Sequence, residues 1–519
     1  YTVDERERLH HLFWCDAESQ MNYKVFGDVV TFDATYKKNK YLCPFVIFSG
    51  VNHHNQTIVF ATAVVTNETE NTYVWLLEQF LEAMNGKAPS SVITDGDVAM
   101  KNAIKIVFPN AHHRLCAWHL MRNATSHVRD KCVLKLLKTF MLSDIEVVEF
   151  EEKWRDMVAK YDLEDNNWIT ELYGRRKMWS PGHIRGSFFA GIRTTSRCEA
   201  FHSHVAKYVD VKCNLTDFVE QFQRCLTYFR HREIEADFFS NYGNVELETN
   251  LRSLETSAAT VLTKELFLLL RPTLAKTVRL RVVDYKEMAM FSIFTVGKYR
   301  TDFVWRVSYC PLSAELSCSC LRMESMGLPC DHIVCVLLCL NITSFPKSLL
   351  ADRWSKSAKD SIKGKYPHAS LYWESEHIGR YATLLQLSRE VCEAGYRLEE
   401  DFDDVVVLFS NELARLKLKN NNIAGDIPIQ CEVENETAYN GVLDPPVVRA
   451  KGCGESMNDE CNRRKRIQTC GLCGATGHNR RKCTVASQNA QDVARGFHIP
   501  STQQTYNSPG EADEYNYRL

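Results

Sequence analysis

Apolar residues recur along the chain with two periods, and the switches between them mark its elements. Residues 25–36, 41–51 and 57–65 are runs rich in Val, Ile, Phe and Thr, which predicts three strands. The second and third are joined by the polar turn Asn52-His53-His54-Asn55-Gln56. Val74, Leu77, Phe80 and Leu81 are spaced as on one helix face, predicting a helix over 73–84. A fourth strand at 91–95, a helix at 98–108 and a short strand at 113–117 follow, the last running into a helix through Arg122. From 132 to 173 the period is helical throughout. A further helix beginning near Thr195 carries Glu199, Val205 and Tyr208, and 217–239 continues as a long amphipathic helix. Strand-like segments return at 278–283, 290–296 and 302–309, and a strong helix is expected at 404–418. The polar stretch 420–459 and the tail after Ala486 lack periodicity and are expected to be flexible.

Three strands, helix, strand, helix, strand is the order of an RNase H-like α/β core, here with an all-helical insertion at about 125–185. At 519 residues the chain is long enough for about three domains. The expected divisions are 1–26 as the end of a truncated N-terminal region, 27–240 as the α/β domain, 278–345 around a cysteine cluster and 346–419 as a helical region. Then come 420–460 as a linker, 461–483 as a basic, cysteine-containing module and 484–519 as a disordered tail. The first residue, Tyr1, is no start methionine and opens no signal-peptide pattern, so the chain reads as a piece of a longer one.

Composition adds little at the scale of the whole chain. Basic and acidic residues number 63 and 65, a net charge of −2 that gives no global sign of nucleic acid. Locally the balance is different: Arg463, Arg464, Lys465, Arg466, Arg480, Arg481 and Lys482 lie between Cys461 and Cys483 with no acidic residue among them. They suit phosphate contact, and the first four also suit a nuclear-import patch; a plain solvated basic stretch is the alternative. The acidic run Glu399–Asp404 reads as a solvated helix start. No run of eighteen apolar residues occurs, so no membrane span is expected. Twenty cysteines without a secretory signal argue for thiols and metal sites over disulfides. Those sitting singly in apolar runs, Cys43, Cys132, Cys335 and Cys339, are expected to be buried small hydrophobes.

Three acids carry candidate catalytic chemistry. The strand Val29-Val30-Thr31-Phe32 stops at Asp33, and Ser91-Val92-Ile93-Thr94 stops at Asp95. Two strands ending on carboxylates bring hard oxygen ligands to one sheet edge, as Mg²⁺ or Mn²⁺ requires. Paired ions of that kind catalyse in-line phosphoryl displacement. Glu199, in the first turn of a helix that Thr195 or Ser196 would cap, is the candidate third acid. Each of them alone also reads as an ordinary turn or helix-end carboxylate. Cys116 and His119, three apart, could form half a zinc site, or equally a packed thiol and a hydrogen-bonded imidazole.

Two cysteine clusters are more specific. Cys318-x-Cys320-x9-Cys330-x-His332 offers four ligands in two close pairs, enough to close a tetrahedral structural zinc site. The first pair is expected on a turn after a strand, the second at the start of the apolar helix 333–340. Cys470-x2-Cys473-x4-His478-x4-Cys483 has the full zinc-knuckle spacing, with Gly474 and Gly477 for its tight turns. Knuckles of this type are associated with single-stranded nucleic acid, particularly RNA.

The motifs Asp33-Ala34-Thr35-Tyr36, Thr94-Asp95-Gly96-Asp97 and Phe108 to His119 resemble the catalytic domain of Mutator-like element transposases. Residues 188–200, Phe-Phe-Ala-Gly-Ile-Arg-Thr-Thr-Ser-Arg-Cys-Glu-Ala, resemble the plant far-red-impaired-response family, regulators of transcription domesticated from such transposases. The resemblance covers roughly residues 1–345. It implies that Asp33, Asp95 and Glu199 correspond to a DDE triad, with Asp97 a competitor for the second position, and that Cys116 and His119 are the family's Cys-x-x-His pair. The 318–332 pattern resembles the SWIM zinc finger found at this place in both families. The reading that follows is a nuclear, zinc-containing, DNA-associated regulator with two structural zinc sites. A working transposase using Mg²⁺ or Mn²⁺ stands beside it, and a non-catalytic protein-interaction scaffold is the third reading. Partners expected are DNA, single-stranded nucleic acid at the knuckle, other proteins in homo- or hetero-oligomers, and no membrane.

Overall fold

The apolar runs of the first third pair into one sheet, and their burial on both faces determines everything packed around them. The structure is a computed structural model that describes residues 1–35, 39–207, 213–362, 375–423, 442–446 and 448. The expected zinc knuckle, both basic runs around it and Tyr208 lie outside the described residues. The sheet is built from β1 (Thr2–Val3), β2 (Leu9–Trp14), β3 (Val29–Thr35), β4 (Phe45–Val51), β5 (Thr57–Val65), β6 (Ser91–Thr94) and β7 (His112–Leu115). Its order is β1-β2-β5-β4-β3-β6-β7. Strand β4 runs antiparallel to β3 and β5, and β5 antiparallel to β2, whereas β6 lies parallel to β3 and β7 parallel to β6.

Alternation along each strand divides the side chains between two layers. Val30 and Phe32 of β3 face the layer of α1 (Ala17–Phe26), α2 (Glu70–Ala83) and α3 (Val98–Val107). There Phe32 stacks on Phe48 at 4.8 Å and Phe48 on Phe80 at 4.4 Å. Every residue of β4 is buried, as expected of a strand covered on both sides. On the opposite face Phe45, Ile47 and Val59 meet Phe201 of α8 (Ser196–Val205) and Phe218 and Phe222 of α9 (Leu215–Tyr242). Between β7 and α8 the chain forms α4 (Ala117–His127), α5 (Lys131–Leu142), α6 (Val147–Lys160) and α7 (Asn167–Gly174). These share their own core around Phe140, Phe150, Trp154 and Trp179, so the helical insertion has the expected character.

A second, four-stranded antiparallel sheet has the order β11-β10-β9-β8. Its strands are β8 (Leu280–Glu287), β9 (Ser292–Lys298), β10 (Val304–Cys310) and β11 (Glu315–Cys318). The sheet shares a core with α10 (Arg252–Val261), α11 (Lys264–Lys276) and α13 (Asp331–Cys339), while the short α12 (Arg322–Met326) precedes α13. Helices α14 (Ser375–Gly395) and α15 (Glu399–Ile423) complete the described chain, and the acidic run does open the latter helix. Among the described residues no helix is long and apolar enough to cross a membrane.

The structure departs from the sequence expectations in several places. Val25 and Phe26 end a helix instead of opening a strand, because Asp16 caps that helix by accepting from Ser19 N–H and the Gly27 N–H closes it on Tyr23 O. Residues 2–14, expected to precede the α/β domain, add two strands to its sheet through the pairing of β2 with β5. Cys43 and Cys335 are buried as expected, but Cys132 and Cys339 are exposed. Both lie at helix ends, Cys132 in the first turn of α5 and Cys339 as the last residue of α13, where side chains reach solvent.

Candidate functional site

Parallel pairing of β3 with β6 brings the first two acids to one edge. Thr31 lies opposite Ile93, so two residues further on Asp33 and Asp95 come level on strands about 4.8 Å apart. Val29 and Ile93 belong to one core cluster, and residues at even spacing from them share their side of the sheet. Asp33 is only 6% exposed, with its Oδ2 3.9 Å from Nδ1 of His202 on α8. Asp95 follows directly on β6, and its Oδ1 accepts from Asp97 N–H at 3.0 Å. Gly96 between them has φ +93, a conformation that disfavours a side chain. Asp97 is committed elsewhere: its Oδ1 accepts from Ala99 and Met100 N–H as the cap of α3. This capping role distinguishes Asp97 from Asp95, which directly follows the strand.

Helix α8 carries the position of Glu199 and is fastened at several points around it. At its start Thr195, expected as a capping residue, makes no side-chain cap. Its N–H and hydroxyl instead donate to Cys116 Sγ at 3.1 and 3.3 Å, and the hydroxyl lies 3.4 Å from His119 Nδ1. Burial lowers the His119 pKa, and the charge of Asp95 opposes that fall. Burial likewise raises the Cys116 thiol, against the hydrogen bonds from Thr195. The Cys-x-x-His pair thus holds the entrance of α8 beside Asp95, and it joins no group of three ligand side chains among the described residues. Upstream, Ala117 N–H donates to Arg193 O, and the buried Arg114 donates to Ile192 O and lies over the Phe189 ring. On the helix itself Arg197 reaches the β4–β5 turn, donating to Asn55 O at 2.6 Å and to Asn55 Oδ1 at 2.9 Å. Position 199 therefore stands four residues after a contact that adjoins Asp95 and three residues before the histidine that faces Asp33. His202 carries no motif that singles it out in the sequence, and Arg197 lies within the 188–200 motif without a role of its own there. Their histidine and guanidinium chemistry becomes meaningful only once α8 is placed on the sheet.

The Cys318, Cys320, Cys330 and His332 ligand atoms all lie within 4.8 Å of one another. Cys318 ends β11 and Cys330 caps α13, which matches the expected turn-after-strand and helix-start positions. Ser319 N–H donates to Arg306 O at 2.9 Å, holding the first pair on β10. Ile333 N–H donates to Cys330 Sγ at 3.4 Å, and the His332 ring stacks on Trp305 with centroids 4.0 Å apart. Hydrogen bonds from its neighbours, Cys318 foremost, hold the Cys320 thiol well below the usual range. The same bond pushes Cys318 up to about 12, and burial raises Cys330. Three sulfurs and one imidazole converging at this spacing could bind zinc, since the donor set and its number suit a closed tetrahedral site.

Residues 29–123 match the MULE transposase domain family. Across a longer span the chain is similar to three proteins of Arabidopsis thaliana. FAR1-RELATED SEQUENCE 5 is 32% identical over 428 residues, 79% of this chain and 53% of that protein. FAR-RED IMPAIRED RESPONSE 1 is 30% identical over 412 residues, covering 78% and 49% respectively. FAR1-RELATED SEQUENCE 4 is 28% identical over 440 residues, covering 83% and 59%. The chain thus spans about half the length of the curated relatives it matches.

Proposed function

The chain is a relative of the plant far-red-impaired-response proteins and carries a MULE transposase domain, and from that premise we propose that it is a transposase-derived, zinc-binding nuclear protein that associates with DNA and regulates transcription. The observation that carries this reading is the extent of the similarity. It runs over more than 400 residues, far beyond the matched domain at 29–123, and so takes in more than a catalytic core. In this reading the α/β domain has an RNase H-like core, supported by the order β5-β4-β3-β6-β7 with the last two strands parallel to β3. The four residues Cys318, Cys320, Cys330 and His332 form a SWIM-type zinc finger, and zinc there would tie β11 to α13. The knuckle at 470–483 and the runs Arg463–Arg466 and Arg480–Lys482 supply nucleic-acid and import contacts.

One observation favours a second reading, an active DDE transposase. Asp33 and Asp95 share an edge, and α8 carries position 199 between a contact that adjoins Asp95 and the histidine that faces Asp33, which supports reading the three acids as a site for Mg²⁺ or Mn²⁺. Metal bound by these three acids would activate water or a 3′-hydroxyl and stabilise the leaving oxygen. A cleavage and strand-transfer assay separates the two, using the natural full-length protein on terminal-repeat DNA with Mg²⁺ or Mn²⁺. The regulator reading expects binding without strand breakage. Breakage by the wild type that Asp33→Asn and Glu199→Gln both abolish would establish the transposase.

A further inference from the structure

The polar turn between β4 and β5 leads to a second cluster of ligand-type side chains, separate from the cysteines. His53 and His54 are each 1% exposed. Both aim Nε2 at one oxygen, Asp237 Oδ1 on α9, at 2.9 and 2.7 Å. The three ligand atoms lie within 4.8 Å of one another. Behind His54, its Nδ1 meets Glu265 Oε2 in the first turn of α11 at 3.0 Å. Behind His53, the buried Nδ1 has no hydrogen-bond partner. A carboxylate on the far nitrogen of an imidazole is the arrangement that fixes ligating histidines in metal sites. Two imidazoles and one carboxylate converging on a point are also a donor set for Zn²⁺ and similar dications.

We infer that His53, His54 and Asp237 form a further metal site for a divalent transition ion, zinc being the first candidate, with Glu265 orienting His54. Its role is to pin the β4–β5 turn to α9 and α11. The turn is already shaped by Asn52 Oδ1, which accepts from His54 and Gln56 N–H at 3.0 and 2.9 Å. Its tip, Asn55, grips Arg197 on α8. The metal would therefore set the platform on which α8 rests.

The test is the zinc content of the full chain by inductively coupled plasma mass spectrometry, wild type against His53→Gln. That substitution leaves the Asp237–His54–Glu265 links in place. The expected result is the loss of one zinc equivalent with an unchanged circular dichroism spectrum. If the variant does not fold, cobalt-loaded wild type decides. A site of nitrogen and oxygen ligands adds bound cobalt without adding sulfur-to-cobalt charge-transfer absorption. Equal zinc in folded wild type and variant, or cobalt wholly accounted for by sulfur absorption, would overturn the assignment and leave a hydrogen-bonded ion network held by protons.

Discussion

Replacing Arg197 by Met should loosen α8 without disturbing the other face of the sheet. The guanidinium donates to Asn55 O and Oδ1 at 2.6 and 2.9 Å, and it is half-buried. Hydrogen bonds to charged groups contribute about 1.5–3 kcal/mol each, and partial exposure argues for the lower end. Two of them therefore hold α8 to the turn by roughly 3 kcal/mol, while Met retains the apolar stem. Each 1.4 kcal/mol is tenfold in an equilibrium, so local opening of α8 becomes about a hundredfold more populated. Hydrogen exchange followed by mass spectrometry reads this directly, because amides of a locally opening helix exchange in proportion to that population. Peptides spanning 197–205 should exchange faster by that order, with α2 and α3 unchanged. Asn55→Gly removes one of the two bonds and suits the turn, where Asn55 has φ +55, so it should give about a tenfold change. Unaltered exchange in α8, or an equal increase in α2 and α3, would refute the claim that this contact anchors the helix.

Three other perturbations probe separate parts of the account. Asp97→Ala removes the cap of α3 and should destabilise that helix by about 1 kcal/mol, seen as faster exchange of its first turn. Divalent-ion binding at Asp33 and Asp95, measured calorimetrically, should survive it, and loss of that binding would make Asp97 the second acid. Trp305→Ala takes away the ring stacked on His332 and should weaken zinc retention at the cysteine cluster by about tenfold in a chelator competition, whereas unchanged retention would make the stack incidental. His113, half-buried and hydrogen-bonded to Thr94 Oγ1 at 2.8 Å, is lowered by burial from 6.5 to about 4. The folded state thus prefers neutral imidazole, so the contribution is intact above the unfolded value of 6.5 and is lost as pH falls from there towards 4. The loss approaches about 3 kcal/mol, and thermal melting between pH 7 and 4.5 should show a shallower pH slope for His113→Gln.

What the sequence made legible follows from how local each signal is. Strands β3 to β6 announce themselves because residues buried on both faces read as unbroken apolar runs, and the aspartates that end two of them stand out against that background. The cysteine cluster was legible because its ligands come in close pairs twelve residues apart, and the structure brings those pairs together. Strand β2 was missed because His10 and His11 break its apolar pattern, although His11 is buried. Helices α10 and α11 were not anticipated, and Pro272 within α11 reads as a breaker. Strand β11, Glu-Leu-Ser-Cys, lacks the apolar run that marks the equally short β6. The anchors of α8 were invisible for a different reason. Arg197 meets Asn55 across 142 residues and Thr195 meets Cys116 across 79, so only the sheet's topology reveals them. The histidines of the β4–β5 turn, read only as turn residues, meet Asp237 across more than 180.

The measurement closest to the central claim compares transcription from a plant reporter gene driven by wild-type protein and three variants. Asp33→Asn and Glu199→Gln alter the acidic edge, while Cys330→Ser opens the cysteine cluster. A transposase-derived regulator predicts full reporter output from both acid variants and its loss in Cys330→Ser, with equal nuclear protein levels throughout. Output that survives Cys330→Ser, or that falls with either acid variant while wild-type protein nicks DNA with Mg²⁺, would contradict the account.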